Sequence, residues 1–338
     1  MPDTPARFAF LLLPGFALMS YASAVEPLRA ANVLAGRDLF AWLHLSPDGR
    51  PVAASNGATL AVEGGLERLG EAATILVCAG GNPALYDDPA TFRALRAAAR
   101  RGLTVGGVSG GPFVLARAGL LDGYRATVHW EHAPAFAEAF PRVSLVPSLF
   151  QIDRRRLTCA GGVAALDMMH AVVAARHGTG LSDAVTDWFL AAHVRPGSGQ
   201  QRRGLRERLG VASPRVEAAV ALMERRIEEP ASRAELAAAA GISPRQLDRL
   251  FARHLAASPE RFYLGVRLER AHDLLAQTTL SVTQVAVATG FASPSHFARA
   301  FRARYGRAPR SARAPRPSPA PRAARAPRPA RAPRASGP

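Results

Sequence analysis

Residues 107–111, Gly-Val-Ser-Gly-Gly, form a G-x-S-x-G run, the spacing of a nucleophile elbow that exposes its serine on a tight strand-to-helix turn. Ser109 is the nucleophile candidate, His129 a base twenty residues further on, and Glu26 a carboxylate near the start of the chain. A serine hydroxyl reacts only when a neighbouring base takes its proton, so the three types together describe the acyl transfer of an amidase or peptidase. Their order along the chain, Glu26, Ser109, His129, departs from the serine, acid, histidine order of the α/β-hydrolases. The same glycines equally describe a small-molecule pocket lined by backbone amides.

A second constellation lies near the C-terminus, where residues 233–251 and 283–301 read alike. Each has a short apolar helix, a glycine (Gly241 or Gly290), a turn ending in Ser-Pro, and an arginine-bearing amphipathic helix. Such a glycine permits the sharp reversal of a helix-turn-helix, whose second helix enters the DNA major groove. Ser243 and Ser293 are placed to cap those second helices, with the following proline at the first helical position. The two glycines stand 49 positions apart, which makes the pair a strong signal.

On the first of these helices Leu247, Leu250 and Phe251 mark the buried side, leaving Arg245, Gln246, Asp248, Arg249 and Arg253 outside. On the second, Phe297, Ala300 and Phe301 face inward and leave Ser295, His296, Arg299 and Arg302. Arginine pairs with guanine edges and glutamine with adenine edges, while either can simply hold phosphate. Between the units, Phe262, Val266, Leu268, Ala271 and Leu275 suit one stiff helix over residues 259–275. Its rigidity would set the two reading helices into successive major-groove segments.

The elements that must hold the elbow alternate in type. Apolar strand patterns near 7–13, 41–46, 73–79, 103–108, 143–146 and 157–159 are interleaved with helical patterns near 22–35, 89–101, 111–119, 131–139, 162–177 and 180–193. That alternation predicts an α/β doubly wound, flavodoxin-like domain with a parallel sheet covered on both faces, followed by an all-α domain with two helix-turn-helix motifs. Ligands in such sheets sit at the carboxyl ends of strands, which directs attention to the turns after Leu13, Cys78 and Val108.

Charge separates the two halves. The 338 residues carry +17, of which residues 1–200 contribute +1, residues 201–306 +7 and residues 307–338 +9. A near-neutral front and a basic back suggest a regulatory or catalytic module joined to a polyanion binder. The last stretch repeats Ala-Pro-Arg with almost no apolar bulk and is expected to be disordered, either a basic arm on DNA phosphates or a drifting low-complexity tail. Cys78 and Cys159, the only cysteines, lie in apolar strand-like runs and read as buried free thiols. No cysteine-histidine spacing suits zinc, no cofactor or metal is expected, and no apolar run approaches a membrane span. Residues 8–19 and Ala22-Ser-Ala24 superficially resemble a signal peptide, but residues 8–13 read as a buried strand interrupted at once by Pro14-Gly15, so the expectation is a cytoplasmic, nucleoid-associated protein.

Residues 107–123, followed by residues 126–131 (Ala-Thr-Val-His-Trp-Glu), resemble the elbow of the ThiJ/PfpI, class I glutamine-amidotransferase-like domain. The whole chain from about residue 8 to 309 resembles the GlxA-like branch of the AraC/XylS-type transcriptional regulators. Enzymatic members of that domain superfamily carry a cysteine at the elbow, where this chain has Ser109. A hydroxyl is far less ionised than a thiol, so the resemblance implies a pocket that has kept its shape and lost its chemistry. It also implies that Glu26 is the acidic residue flanking the elbow, that Gly80 and Gly81 are a second glycine turn, and that Arg245, Asp248 and Arg249 face bases. A narrower likeness joins residues 195–202, 222–224 and 262–271 to regulators of glycine betaine, carnitine and arginine catabolism. Effectors with a cationic head want an aromatic face and a carboxylate, which Trp130, Glu131 and Glu26 would supply if they share one cavity.

The resulting expectation is a sensing domain over residues 1–195, a linker over 196–214, a DNA-binding domain over 215–309 and a tail from 310. The implied function is a promoter-binding transcriptional activator that senses a small nitrogenous effector through Glu26, Gly80, Gly81, Ser109, Gly110, His129 and Trp130. The DNA would be read by Arg245, Gln246, Asp248, Arg249, Ser295, His296 and Arg299. RNA polymerase and a second copy in a homodimer are the expected protein partners. The alternative is an active amidase or peptidase using Ser109, fused to a DNA-binding module.

Overall fold

In the computed structural model, residues 4–191, 193–202, 205–278 and 280–312 are described. The front unit is built on a six-stranded sheet in the order β2-β1-β5-β6-β10-β9. Its elements begin β1 (Ala6–Leu12), α1 (Leu18–Ala35), β2 (Phe40–Leu45), the hairpin β3 (Val52–Ala53) and β4 (Thr59–Leu60), then β5 (Thr74–Ala79) and α2 (Pro89–Arg100). They continue with β6 (Thr104–Ser109), α3 (Gly111–Arg117), β7 (Arg125–Ala126), α4 (Ala133–Ala139), β8 (Ser144–Leu145), β9 (Phe150–Asp153), β10 (Arg156–Cys159), α5 (Ala164–His177) and α6 (Thr179–Trp188).

β1 explains the architecture. Its residues Phe8 to Leu12 are all buried, because a parallel strand between two neighbours is covered on both faces. Phe8, Phe10 and Leu12 pack into the layer of α1, α5 and α6, while Ala9 and Leu11 pack into that of α2, α3 and α4. This central position absorbs the apolar N-terminal run into the fold, and Ala24 of the small-residue run is buried within α1. Cys78 and Cys159 are free, buried thiols, both pushed up by loss of solvent, Cys159 to about 12.

Two expectations about the sheet are corrected. The pattern near 143–146 forms no main strand; only Ser144 and Leu145 pair, with β7, in a separate two-stranded piece. The sixth strand is instead β9, antiparallel to β10 at the edge. A half-exposed edge strand alternates polar and apolar residues over four positions, too few to register as a pattern.

The back unit is all helical: α7 (Leu205–Leu209), α8 (Pro214–Arg225), α9 (Arg233–Ala239), α10 (Pro244–Leu255), α11 (Pro259–Gln277), α12 (Val282–Ala288) and α13 (Pro294–Tyr305). It holds two small cores. Val216, Val220, Met223, Leu236, Leu247, Phe251 and Tyr263 form the first; Leu268, Leu274, Leu275, Val285, Phe291, Phe297 and Phe301 form the second. α11 contributes one end to each, so a single rod fastens both helix pairs. Ala135 of α4 is buried in the second core, which seats the front unit on the back one. Pro309–Ala312 form a 3-10 turn with Ala312 buried, so the expected tail does not begin at residue 310; from residue 313 onward it lies outside the described residues.

Candidate effector pocket and DNA-reading surface

Ser109 ends β6 with φ +57°, the left-handed backbone of an elbow held in a non-glycine residue. Such strain persists only where surrounding structure fixes it. Gly161 supplies that, since a Cβ there would lie 2.9 Å from Ser109 Cβ. The serine opens into a cavity of about 540 Å³ with Ser20, Gly81, Asn82, His129 and His132, and Ala276 of α11 closes one side. The expected residues Gly81, Ser109 and His129 therefore do meet. Gly80 and Gly110 lie beneath them, pressed against Gly15–Ala17 and Pro83, and support rather than line the cavity.

Glu26 is not part of it. Its carboxylate pairs with Arg29 at 2.6 Å and is 41% exposed. Eight residues into α1, it stands about 12 Å along the axis from the strand ends where such pockets form. The α1 residue at the cavity is Ser20, whose hydroxyl accepts from the Gly162 amide at 2.7 Å. Ser20 lies in the first turn of the helix after β1, nearest the strand ends. Trp130 also lies elsewhere, in the seam toward the back unit, with the Arg202 guanidinium 4.0 Å above its ring and its amide donated to Gln201 Oε1 at 2.6 Å. Gln201, not among the expected site residues, also donates to the carbonyls of Val128 and Ser148 and so pins the connecting segment to the front unit.

Ser109 and His129 share the cavity wall with no hydrogen bond between them among the described residues, and His129 Nδ1 faces Glu131 Oε2 at 3.7 Å. Burial holds the His129 imidazole below its ordinary value, with His132 adding to the effect. The amide after the elbow residue, which would donate to an oxyanion, is already committed, as Gly110 N–H donates to the Ala79 carbonyl at 3.1 Å. What remains is a polar receptacle. Asn82 Oδ1 and His132 Nδ1 are buried in it without a partner among the described residues.

The back unit presents its two second helices through capped starts. Ser243 forms a capping box with Gln246, and Ser293 accepts from the His296 amide. Gly241 and Gly290 take φ +64° and +72° at the turns. The helices keep Leu247, Phe251, Phe297 and Phe301 buried and leave Arg245, Arg249, Ser295, His296 and Arg299 exposed. Two of the expected readers are otherwise engaged. Gln246 Oε1 accepts from the Ser243 amide at 3.0 Å, and Asp248 holds the Arg233 guanidinium through both oxygens. Arg245, Arg249 and Arg299 have no ion-pair or hydrogen-bond partner among the described residues and are free to meet phosphate or base edges.

Sequence reasoning overlooked Arg267. From α11 it donates to the carbonyls of Thr289 and Gly290, at 2.8 and 2.6 Å, and stacks on Phe291 at 4.3 Å. Tyr263, one turn earlier, bonds to the Arg226 carbonyl and the Ala231 amide. One rod thus clamps the entry to the first helix pair and the turn of the second.

A doubly wound domain with a serine at its elbow, mounted on two rigidly spaced helix-turn-helix units, defines a DNA-binding regulatory protein. The DJ-1/PfpI family matches residues 6–175, and a helix-turn-helix domain family matches residues 236–314. The chain is 47% identical to the HTH-type transcriptional regulator GlxA of Rhizobium meliloti, covering 90% of this chain and 94% of that one. It is 46% identical to the HTH-type transcriptional regulator CdhR of Pseudomonas aeruginosa, over 89% and 90% of the two chains. A crystal structure of an AraC family transcriptional regulator from Pseudomonas putida superposes with a TM-score of 0.51 at 33% identity, covering 55% of this chain and all of that one. The chain belongs to the AraC-type HTH transcriptional regulators that carry a DJ-1/PfpI domain.

Proposed function

We propose that the front unit senses a small nitrogenous metabolite, a quaternary amine or an amino acid, in the elbow cavity. Occupancy shifts the relative placement of the two units and with it the DNA-competent population. In this reading the protein acts as a homodimer in the cytoplasm and activates transcription by engaging RNA polymerase beside its promoter site. The observation that carries the sensing is the closure of the elbow cavity by Ala276: the wall of the pocket is the last turn of the rod that holds both reading helices.

The test is fluorescence anisotropy on promoter DNA with the full chain, with and without a panel of quaternary amines and amino acids. At least one compound is expected to change affinity tenfold or more. Met19→Trp, which adds bulk at an exposed position of the cavity wall, should abolish that response without altering unliganded binding. No response to any compound, or a response untouched by Met19→Trp, overturns the reading.

A further inference from the structure

A cavity larger than that at the elbow lies away from it. It measures about 940 Å³ and shares no lining residue with the elbow cavity. Three parts of the chain enclose it: Val128, Trp130 and Leu145 from the front unit, Arg202 from the connecting segment, and Arg208 of α7 with Glu217 of α8 from the back unit. α8 is part of the first helix-turn-helix core through Val216 and Val220. A ligand here would touch both units at once.

Its polar equipment is specific. Arg208 Nε and Glu217 Oε1 are each buried with no hydrogen-bond partner among the described residues. Arg208 spends Nη2 on both oxygens of Glu224, at 3.0 and 3.1 Å, and leaves Nε unused. Arg206 approaches Glu217 Oε1 only to 3.6 Å, beyond hydrogen-bond reach. A buried group left unsatisfied is costly, and more so when charged. Both side chains are ion-paired, Arg208 with Glu224 and Glu217 with Arg206, yet one guanidinium N–H and one carboxylate oxygen are left without a hydrogen bond beside an indole and an apolar wall.

We propose that this cavity is a binding site for a small zwitterion of the amino-acid class. The ligand carboxylate accepts from Arg208, its ammonium donates to Glu217, and its side chain lies along Val128, Leu145 and Trp130. Such a ligand would satisfy both unbonded atoms at once, which a ligand bearing only one charge would not. The volume falls in the ordinary range for small-molecule pockets, roughly 300–1,000 Å³, and leaves room for accompanying water. A zwitterion held this way ties α7 and α8 to the front unit, fixing the placement of the first reading helix. This site and the elbow cavity can fail separately.

The test is isothermal titration calorimetry of the full chain with L-leucine and L-phenylalanine. Each is compared with its decarboxylated form (3-methylbutylamine, 2-phenylethylamine) and its deaminated form (4-methylpentanoate, 3-phenylpropanoate). At least one amino acid is expected to bind at least tenfold more tightly than both of its singly charged relatives. Glu217→Gln, which keeps shape and removes charge, should weaken that binding about tenfold, as should Arg208→Gln, while Met19→Trp leaves it unchanged. Absence of binding, equal affinity for a singly charged relative, or indifference to Glu217→Gln overturns the proposal. Loss of binding in Met19→Trp alone would place the amino acid in the elbow cavity and overturn this site while sustaining the other.

Discussion

Asn82 and Ala276 meet across the junction of the two units: the Asn82 side-chain amide, just after β5, donates Nδ2 to the Ala276 carbonyl in the last turn of α11. The final carbonyls of a helix have no donor within the helix, so the front unit supplies part of the C-terminal cap of the rod. The other atom of that amide, Oδ1, is the buried unpartnered acceptor of the elbow cavity. One side chain thus touches both the pocket and the rod.

Asn82→Ala should loosen that cap. A net hydrogen bond is worth roughly 0.5–1.5 kcal/mol, which corresponds to about 2- to 12-fold in local opening. Hydrogen exchange in the C-terminal turn of α11 should accelerate by about that factor, while α10, remote from the contact, stays unchanged. Unchanged exchange in α11 would show that the contact does not hold the helix end.

The two turn glycines, identical in sequence role, differ in surroundings. A Cβ on Gly241 would meet nothing within 4 Å, whereas one on Gly290 would lie 2.6 Å from the Ile227 carbonyl oxygen and 2.7 Å from Pro230. Gly241→Ala should therefore cost only the left-handed backbone penalty, about 1–2 kcal/mol. Gly290→Ala adds a clash with backbone of the neighbouring helix pair and should cost more, or unfold the second pair. Urea denaturation monitored by far-UV circular dichroism separates the two, and equal losses would contradict the interlocked packing.

Much of this molecule was legible before its coordinates. The two turns, Gly241-Ile-Ser-Pro and Gly290-Phe-Ala-Ser-Pro, announced themselves because caps, turns and amphipathic periods are local, and the central strands because buried runs are long. What escaped was side-chain placement set by distant parts. Glu26 carries the right charge but sits two turns too far along α1, and Ser20, chemically bland, takes the position at the pocket. Trp130 is one residue from His129 yet faces the seam instead of the elbow. Gln201 and Arg267 matter only through carbonyls that folding brings to them, and no local pattern marks a residue whose partners are backbone atoms elsewhere. The edge strand β9 was missed for want of length.

Arg249 and Arg299 are the free guanidinium candidates on the two reading helices. If they contact base edges, replacing either with alanine should cost about 1–3 kcal/mol on the cognate site and relax preference at one base position. Gln246→Ala should behave differently, since its oxygen closes a capping box: it should lower thermal stability and leave base preference nearly intact. Competition binding against a set of single-base operator variants distinguishes them. An equal loss on cognate and random DNA for Arg249→Ala and Arg299→Ala would assign both arginines to phosphate.

His129 gives the front unit a signed response to pH. Its imidazole is held below the ordinary value by burial first, then by His132 and Arg202, with only Glu131 acting in the opposite direction. The unfolded chain therefore binds a proton more readily than the folded one in the window below the ordinary value of 6.5. Unfolding takes up that proton, so stability is full above about pH 7.5 and is lost as pH falls through 6.5 toward the folded-state value. His129→Gln removes the group and its linkage. Urea unfolding of the full chain from about pH 8 to pH 5 should show a steeper acid-side loss in the parent than in the variant, with the two curves parallel at the alkaline end. A variant that loses stability faster than the parent on acidification would mean that Glu131, not burial, governs the ring.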